Sequence, residues 1–215
     1  MLLGDLWRFF HETIFAEPST PTLFNQYKDA DRDFDKPGAV AIRRTNLKNY
    51  LSYFIEQPTI LLVGEAPGPN GCRFSGVAFT SEHQLVSGLL RFQGCQSSNR
   101  ERPYKEPTAT TFWRAVMAVE SRVSQRALVW NCVPFHPHGK DEPMSIRAPT
   151  AAEIHQYAHI LRGVIHMLKC ERVVSIGNHA ARAIRELDVA TEHVRHPSHG
   201  GVAEFKIGLK QVFSR

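Results

Sequence analysis

Three polar side chains, Glu65, Asn131 and His196, each come at or just after the end of a predicted strand. The carboxylate of Glu65 can orient or deprotonate water. The amide of Asn131 both donates and accepts hydrogen bonds, so it can bind the amide-like edge of a pyrimidine. The imidazole of His196 can donate to a carbonyl or to developing negative charge. They form one site only if their strands lie side by side in a sheet.

Each of these residues also has an ordinary structural explanation. Asn131 can cap the turn that follows its strand, and His196 can hold a backbone partner in its loop. The combination of three such residues at three strand ends favours the functional interpretation over the structural one.

An unusually long connection follows the apolar run Ile60–Val63. It has about 17 residues, whereas a strand–helix connection usually needs about 2 to 6. Its glycines and prolines allow tight turns and a close approach to a ligand. Phe79, near its end, can stack on a flat ring or belong to the core. Thr80 or Ser81 can cap a helix beginning near Glu82, whose charge suits a first turn.

Hydrophobic periodicity predicts the elements that must position these residues. Helices are expected over 2–16, 39–56, 82–92, 108–119, 150–169, 177–187 and 202–212, and strands over 60–63, 127–130, 172–176 and 191–194. Thr150 and Glu153 match a capping box at the start of the long helix. Strands that alternate with helices indicate an α/β fold with a parallel sheet covered on both faces. Ligands of such sheets bind outside the carboxyl ends of the strands.

Composition favours one soluble globular domain. The chain has 215 residues, of which 42% are hydrophobic and 22% charged, and we predict a single domain, 1–215, with an N-terminal helical extension over about 1–57. No apolar run is long enough to cross a membrane, and the N-terminus lacks the pattern of a signal peptide, so we expect a cytoplasmic protein. The four cysteines form no CxxC pair, and we expect no metal and no cofactor.

The charge balance permits a polyanionic partner without proving one. The net charge is +5, a value shared by many proteins that bind no nucleic acid. The polar and basic run over 95–107 is more typical of a solvated surface loop than of a phosphate contact.

The segments Gly64–Gly68, Ser75–Phe79 and His196–Ser198 resemble the two signature motifs of the uracil-DNA glycosylase superfamily. Asn131 matches the superfamily's base-binding asparagine in position and context. The resemblance covers about residues 58–213. It implies a three-layer α/β/α sandwich with a central four-stranded parallel sheet. It also implies an enzyme that flips a deaminated base out of DNA and hydrolyses its N-glycosidic bond with water.

The resemblance assigns roles to individual positions. It implies that Phe79 stacks on the base, that Asn131 binds its Watson–Crick edge, and that His196 donates to O2 of uracil. Ala66 then lies against the base at the floor of the loop. The residues expected at the DNA backbone are Pro67, Gly68, Ser198, His199 and Gly200, with Ser198 holding a phosphate.

Three departures from the superfamily pattern are apparent. Two branches of the superfamily hold an iron–sulfur cluster through cysteines that this chain lacks at the expected spacing, so the chain resembles a divergent branch without them. Ala66 stands where several members have a water-activating Asp or Asn, so Glu65 or Glu82 is the candidate for that role, with Asn70 a weaker one. No bulky apolar wedge follows Ser198, so His199 or a residue of another loop must fill the gap left by a flipped base. The preferred base, whether uracil, hypoxanthine or another deaminated base, stays open.

Other functions are compatible with parts of the pattern. A catalytically silent DNA or nucleobase binder on the same fold would use basic residues such as Arg73 and Arg195. An enzyme acting on a small nucleotide is disfavoured, because the glycine-rich loop lacks both the Gly-Lys-Ser/Thr and the GxGxxG patterns. We expect DNA as the partner, no membrane association and a monomer.

Overall fold

The computed structural model describes residues 2–54, 58–119 and 127–214. A parallel sheet of four strands, in the order β3-β2-β5-β6, forms the centre. A two-stranded antiparallel sheet joins β1 to β4. The strands are β1 (Leu23–Phe24), β2 (Ile60–Gly64), β3 (Ala127–Asn131), β4 (His136–Pro137), β5 (Arg172–Ile176) and β6 (Glu192–Val194). The helices are α1 (Leu2–Thr13), α2 (Ala39–Ser52), α3 (Cys72–Ser75), α4 (Glu82–Val86), α5 (Pro107–Val119), α6 (Ala151–Leu168), α7 (Asn178–Arg185) and α8 (Val202–Phe213).

The predicted parallel α/β sheet is confirmed. Every residue of β2 and β3 is buried, as expected for apolar strands covered by helices on both faces. The two strands pair in register from Ile60 with Ala127 to Gly64 with Asn131. This register places the carboxyl ends of both strands at the same level of the sheet.

Helices flank the sheet in packed pairs. Helix α1 packs on α6, and α5 packs on α8. The Phe10 ring of α1 stacks on Trp130 of β3 at a centroid distance of 4.9 Å. The long helix α6 begins with the predicted capping box, in which Thr150 Oγ1 accepts the Glu153 N–H at 3.2 Å. No helix in the described ranges is both long and apolar enough to cross a membrane.

The N-terminal segment is part of the main core. Leu6, Phe10 and Ile14 are buried together with the strands of the sheet. Helix α1 ends at Thr13, three residues before its predicted end. The predicted end of α2 at residues 55 and 56 lies outside the described residues. The described part of this segment, residues 2–54, therefore completes the core of the domain.

The predicted helix over 82–92 is wrong beyond its first turns. Helix α4 ends at Val86, because Gly88 adopts φ +69°, a left-handed conformation that interrupts a helix. Leu90 and Phe92 are nevertheless buried. Of the leucines whose spacing predicted the helix, Leu85 and Leu90 are buried and Leu89 is exposed, so this short apolar run packs without being helical. Ser81, one of the two predicted caps, is the N-cap residue of α4, and its backbone N–H donates to Gln84 Oε1 at 2.8 Å.

Buried charges join the 25–37 segment to helices α2 and α3. Arg43 pairs with Asp35 at 2.9 Å, and Arg73 pairs with Asp31 at 3.0 Å. Burial lowers the pKa of both guanidinium groups, and Asp35 opposes that shift. Arg73 is fully buried, so the structure contradicts its predicted use as a basic DNA contact.

We expect Asp35→Ala to destabilise the fold by about 3–5 kcal/mol, because Arg43 and Arg73 would lose a buried counter-charge. Urea denaturation followed by circular dichroism measures the change. The matched control is Asp33→Ala, since Asp33 is exposed on the same segment. Equal stability of the two variants would contradict a structural role for the buried charges.

Candidate active site

A cleft of about 530 Å³ lies at the carboxyl ends of the parallel strands. The predicted site residues that line it are Glu65, Ala66, Pro67, Gly68, Phe79, Asn131, His196, Ser198 and His199. Residues from three strand ends therefore meet in one place, as the parallel sheet requires.

The structure places Glu82, Asn70 and Gly200 outside the residues that line this cleft. The Glu82 carboxylate is buried and accepts the N–H groups of Ser97 and Ser98 at 2.6 and 2.8 Å. Its other oxygen accepts the Ser98 hydroxyl at 2.6 Å. Glu82 thus orders the connection after α4, and its position contradicts a role in activating water.

Phe79 and Asn131 meet over Gly64. An added Cβ at Gly64 would overlap Phe79 Cε2 and lie 2.9 Å from Asn131 Oδ1. Phe79 has φ +50°, and its ring stacks on Phe112 at 4.6 Å between centroids. The unusual backbone is held by Ser75, whose hydroxyl donates to the Thr80 carbonyl at 2.7 Å.

The amide of Asn131 has a defined orientation in the cleft. Its Oδ1 faces Gly64, whereas its Nδ2 lies 4.0 Å from the Cys72 sulfur. The residue is only 5% exposed. It therefore presents an acceptor and a donor, side by side, to whatever enters the cleft.

His196 is a neutral imidazole with its proton on Nε2. Its Nδ1 accepts the Ser198 backbone N–H at 3.1 Å and lies 2.7 Å from the Ser198 hydroxyl. A ring nitrogen that accepts an N–H carries no proton, so the other nitrogen is the donor. Burial lowers the pKa of His196 to about 4, and electrostatic interactions with Arg195 and His199 add to this shift. The Ser198 hydroxyl thus contacts the imidazole, in addition to any phosphate role predicted for it.

Glu65 lies half-buried at the end of β2. Burial raises the pKa of its carboxyl, and the nearby His179 partly opposes that rise. Burial raises the pKa of the neighbouring Cys132 thiol to about 12, and the Glu65 charge adds to that rise. Because its pKa is raised, Glu65 is a stronger base than an exposed glutamate.

The sequence did not predict Glu106 as a site residue. It precedes helix α5, within the run assigned to a solvated loop, yet its carboxyl lines the cleft. Added Cβ atoms at Gly68 and Gly71 would overlap its two oxygens. Burial raises the pKa of Glu106 to about 7. The only sequence signal was the pair of glycines, whose partner could not be identified without the tertiary structure.

The connection before α6 also reaches the cleft. Ile146, Arg147 and Ala148 line it, and the Ile146 residue is 77% exposed. Arg147 fixes this connection through two hydrogen bonds to Glu153, at 2.6 and 2.8 Å. An isolated exposed isoleucine in a loop gives no sequence signal of its own.

The family model described as the uracil DNA glycosylase superfamily matches residues 51–210 of the sequence. The chain belongs to the uracil DNA glycosylase superfamily. The crystal structure of wild-type SMUG2 from Pedobacter heparinus has the same fold, with a TM-score of 0.69 over 99% of this chain and 97% of that chain. The two sequences are only 11% identical. No curated protein sequence matches the chain. Superfamily membership supports a DNA glycosylase type of enzyme with DNA as its partner.

We expect the His196 ring to stay neutral, with its proton on Nε2, from pH 8 down to about pH 5, because its pKa is lowered to about 4. Two-dimensional ¹⁵N NMR of the imidazole side chains distinguishes protonated from unprotonated nitrogens. Ser198→Ala is the matched variant, which should keep the tautomer because the backbone N–H remains. Titration near pH 6.5, or a proton on Nδ1 in the wild type, would contradict the assignment.

Proposed function

We propose that the protein is a DNA glycosylase that flips a deaminated base out of DNA and hydrolyses its N-glycosidic bond. The observation that supports this most is the convergence of Phe79, Asn131 and neutral His196 in one cleft. An aromatic face, an amide and an N–H donor are the groups needed to bind a flat, keto-containing base.

The flipped base stacks on Phe79 and meets Asn131 with its Watson–Crick edge. Asn131 Oδ1 accepts the imide N–H of the base, and Nδ2 donates to the carbonyl beside it. In the strand order β3-β2-β5-β6, Asn131 and His196 follow strands on opposite sides of β2, which supports a pose with His196 on the other side of that N–H. His196 Nε2–H therefore donates to the second carbonyl, which is O2 in uracil.

The reaction breaks the bond from C1′ of the sugar to the base nitrogen, and the electron pair leaves on the base. A neutral donor such as His196 stabilises the negative charge that develops on O2. Water forms the new bond to C1′ and passes its proton to the Glu65 carboxylate. Ala66 has no functional group for this step, and Glu82 is fully engaged elsewhere.

The loops around the cleft are suited to the DNA backbone. Pro67, Gly68, Ser198 and His199 line its rim, and Gly200 adopts φ +78° in the adjoining turn. Arg195 is exposed beside them. Contacts of this kind supply sequence-independent affinity that falls as salt rises.

We expect wild-type protein to release a deaminated base under single-turnover conditions, and Glu65→Gln to lower the rate by about 10²–10⁴-fold. The substrates are duplex and single-stranded oligonucleotides with uracil, hypoxanthine or xanthine, cleaved by alkali at the abasic sites. Glu12→Gln, at an exposed position of α1, is the matched control. DNA binding without release of any base would contradict the enzyme and favour a silent binder.

Ile146 is suited to fill the gap that a flipped base leaves in the duplex. It is the most exposed of the large apolar side chains of the described residues, and it stands at the cleft. Architectural and base-flipping proteins insert apolar side chains of this kind between base steps. The hydrogen bonds of Arg147 hold the loop in place for this contact.

We expect Ile146→Ala to slow base release from duplex DNA by about fivefold or more, because the variant offsets less of the unstacking cost of a few kcal/mol. Release from single-stranded DNA, where no gap forms, should change little. Ile207→Ala, at a 59% exposed position of α8 outside the cleft lining, is the control. Equal slowing on both kinds of DNA would rule out the wedge role.

A further inference from the structure

The mechanism above leaves the Glu106 carboxyl unused. Its two oxygens pack against Gly68 and Gly71, where added Cβ atoms would overlap them. None of the described residues donates a hydrogen bond to it, although it lines the cleft. The residue is half-buried, and the cleft that it lines is where a hydrogen-bond partner for its carboxyl can come from.

Glu106 lies on a particular side of Asn131. Asn131 Nδ2 is 4.0 Å from the Cys72 sulfur. Glu106 Oε2 packs against Gly71, the residue that directly precedes Cys72, so the carboxyl lies on the Cys72 side of Asn131. Asn131 Oδ1, in contrast, faces Gly64. The order along the floor of the cleft is therefore Gly64, Asn131, Cys72 and Glu106.

This order can be matched to the groups around a keto base. When Oδ1 of Asn131 accepts the imide N–H and Nδ2 donates to the next carbonyl, the position after that carbonyl faces Cys72 and Glu106. In uracil that position is C5–H, which forms no ordinary hydrogen bond. In a deaminated purine such as hypoxanthine or xanthine it is N7, which is an acceptor.

We infer that Glu106 determines base specificity by donating a hydrogen bond from its protonated carboxyl to N7 of a deaminated purine. This inference rests on the proposed function, since it concerns the base bound in the same cleft. Glu106 then explains the glycines at 68 and 71, because larger residues would displace its carboxyl. The protein accepts uracil in this cleft and gains additional binding from a keto purine.

The ionisation of Glu106 is compatible with this role. Burial raises the pKa of its carboxyl to about 7, so a large fraction keeps its proton near neutral pH. The neutral form has an O–H to donate, whereas the ionised form would repel the lone pair of N7.

The test compares three bases in otherwise identical duplexes: uracil, hypoxanthine and 7-deazahypoxanthine, in which a C–H replaces N7. Single-turnover release is measured for wild type, Glu106→Ala and Glu106→Gln, with Glu101→Ala as control at an exposed position of the same connection. The 7-deaza substitution alters the intrinsic strength of the N-glycosidic bond. The release rate of each substrate is therefore compared between wild type and variants, and not with the rates of the other substrates.

We expect Glu106→Ala to slow the release of hypoxanthine by about 3- to 10-fold, the effect of one hydrogen bond. Release of uracil and of 7-deazahypoxanthine should stay within about twofold of wild type. Glu106→Gln should retain most hypoxanthine release, because its amide can donate to N7. The Ala and Gln variants should unfold at temperatures close to that of wild type.

Other outcomes overturn the inference. If both Glu106 variants lose release of all three bases while folded, Glu106 activates water and does not determine specificity. Equal losses on hypoxanthine and 7-deazahypoxanthine would show that N7 is not contacted.

A binding experiment separates this inference from the proposed function. If wild type releases no base at all, the glycosylase proposal fails, and fluorescence anisotropy is used with duplexes whose 2′-fluorinated nucleotides resist cleavage. A preference for hypoxanthine over 7-deazahypoxanthine that disappears in Glu106→Ala would still support the N7 contact. Equal binding of the two by wild type would exclude it.

Discussion

The space above Gly64 is the constraint on which the site depends. The parallel register of β2 and β3 sets Gly64 beside Asn131, and the Phe79 ring occupies the volume that any side chain at Gly64 would need. The positions of the Phe79 ring and the Asn131 amide therefore both depend on the absence of a side chain at residue 64. A site that is held in this way before a ligand binds loses little entropy on binding.

Three glutamates lie in different environments and therefore have different roles. Glu82 is surrounded by donors and is fully hydrogen-bonded. Glu65 and Glu106 face the cleft, where burial raises the pKa of both carboxyls. Desolvation without compensating donors produces this shift, and hydrogen bonds to the charged form oppose it. The contrast separates a structural carboxylate from two that are available to a ligand.

The surroundings of His196 determine both its protonation and its suitability for the proposed reaction. Burial and, to a smaller extent, electrostatic interactions with Arg195 and His199 lower its pKa, and the Ser198 N–H occupies its Nδ1. The same cationic surroundings favour a phosphate backbone. A neutral imidazole donates a hydrogen bond to the base through Nε2–H. It is therefore suited to stabilise the negative charge that develops on the base.

The sequence by itself determined the parallel sheet and most of the cleft, because both depend on local patterns. Apolar runs mark β2 and β3, and the polar residues at their ends must share one edge of a parallel sheet. Only the tertiary structure decided which carboxylates face the cleft, where α4 ends, and how residues 2–54 complete the core. The sequence marked Glu82 as a candidate base and left Glu106 in a solvated loop, yet Glu106 and not Glu82 lines the cleft. Their roles differ because burial and hydrogen bonding depend on neighbours that are distant in the chain, such as Ser97 for Glu82 and Gly68 for Glu106.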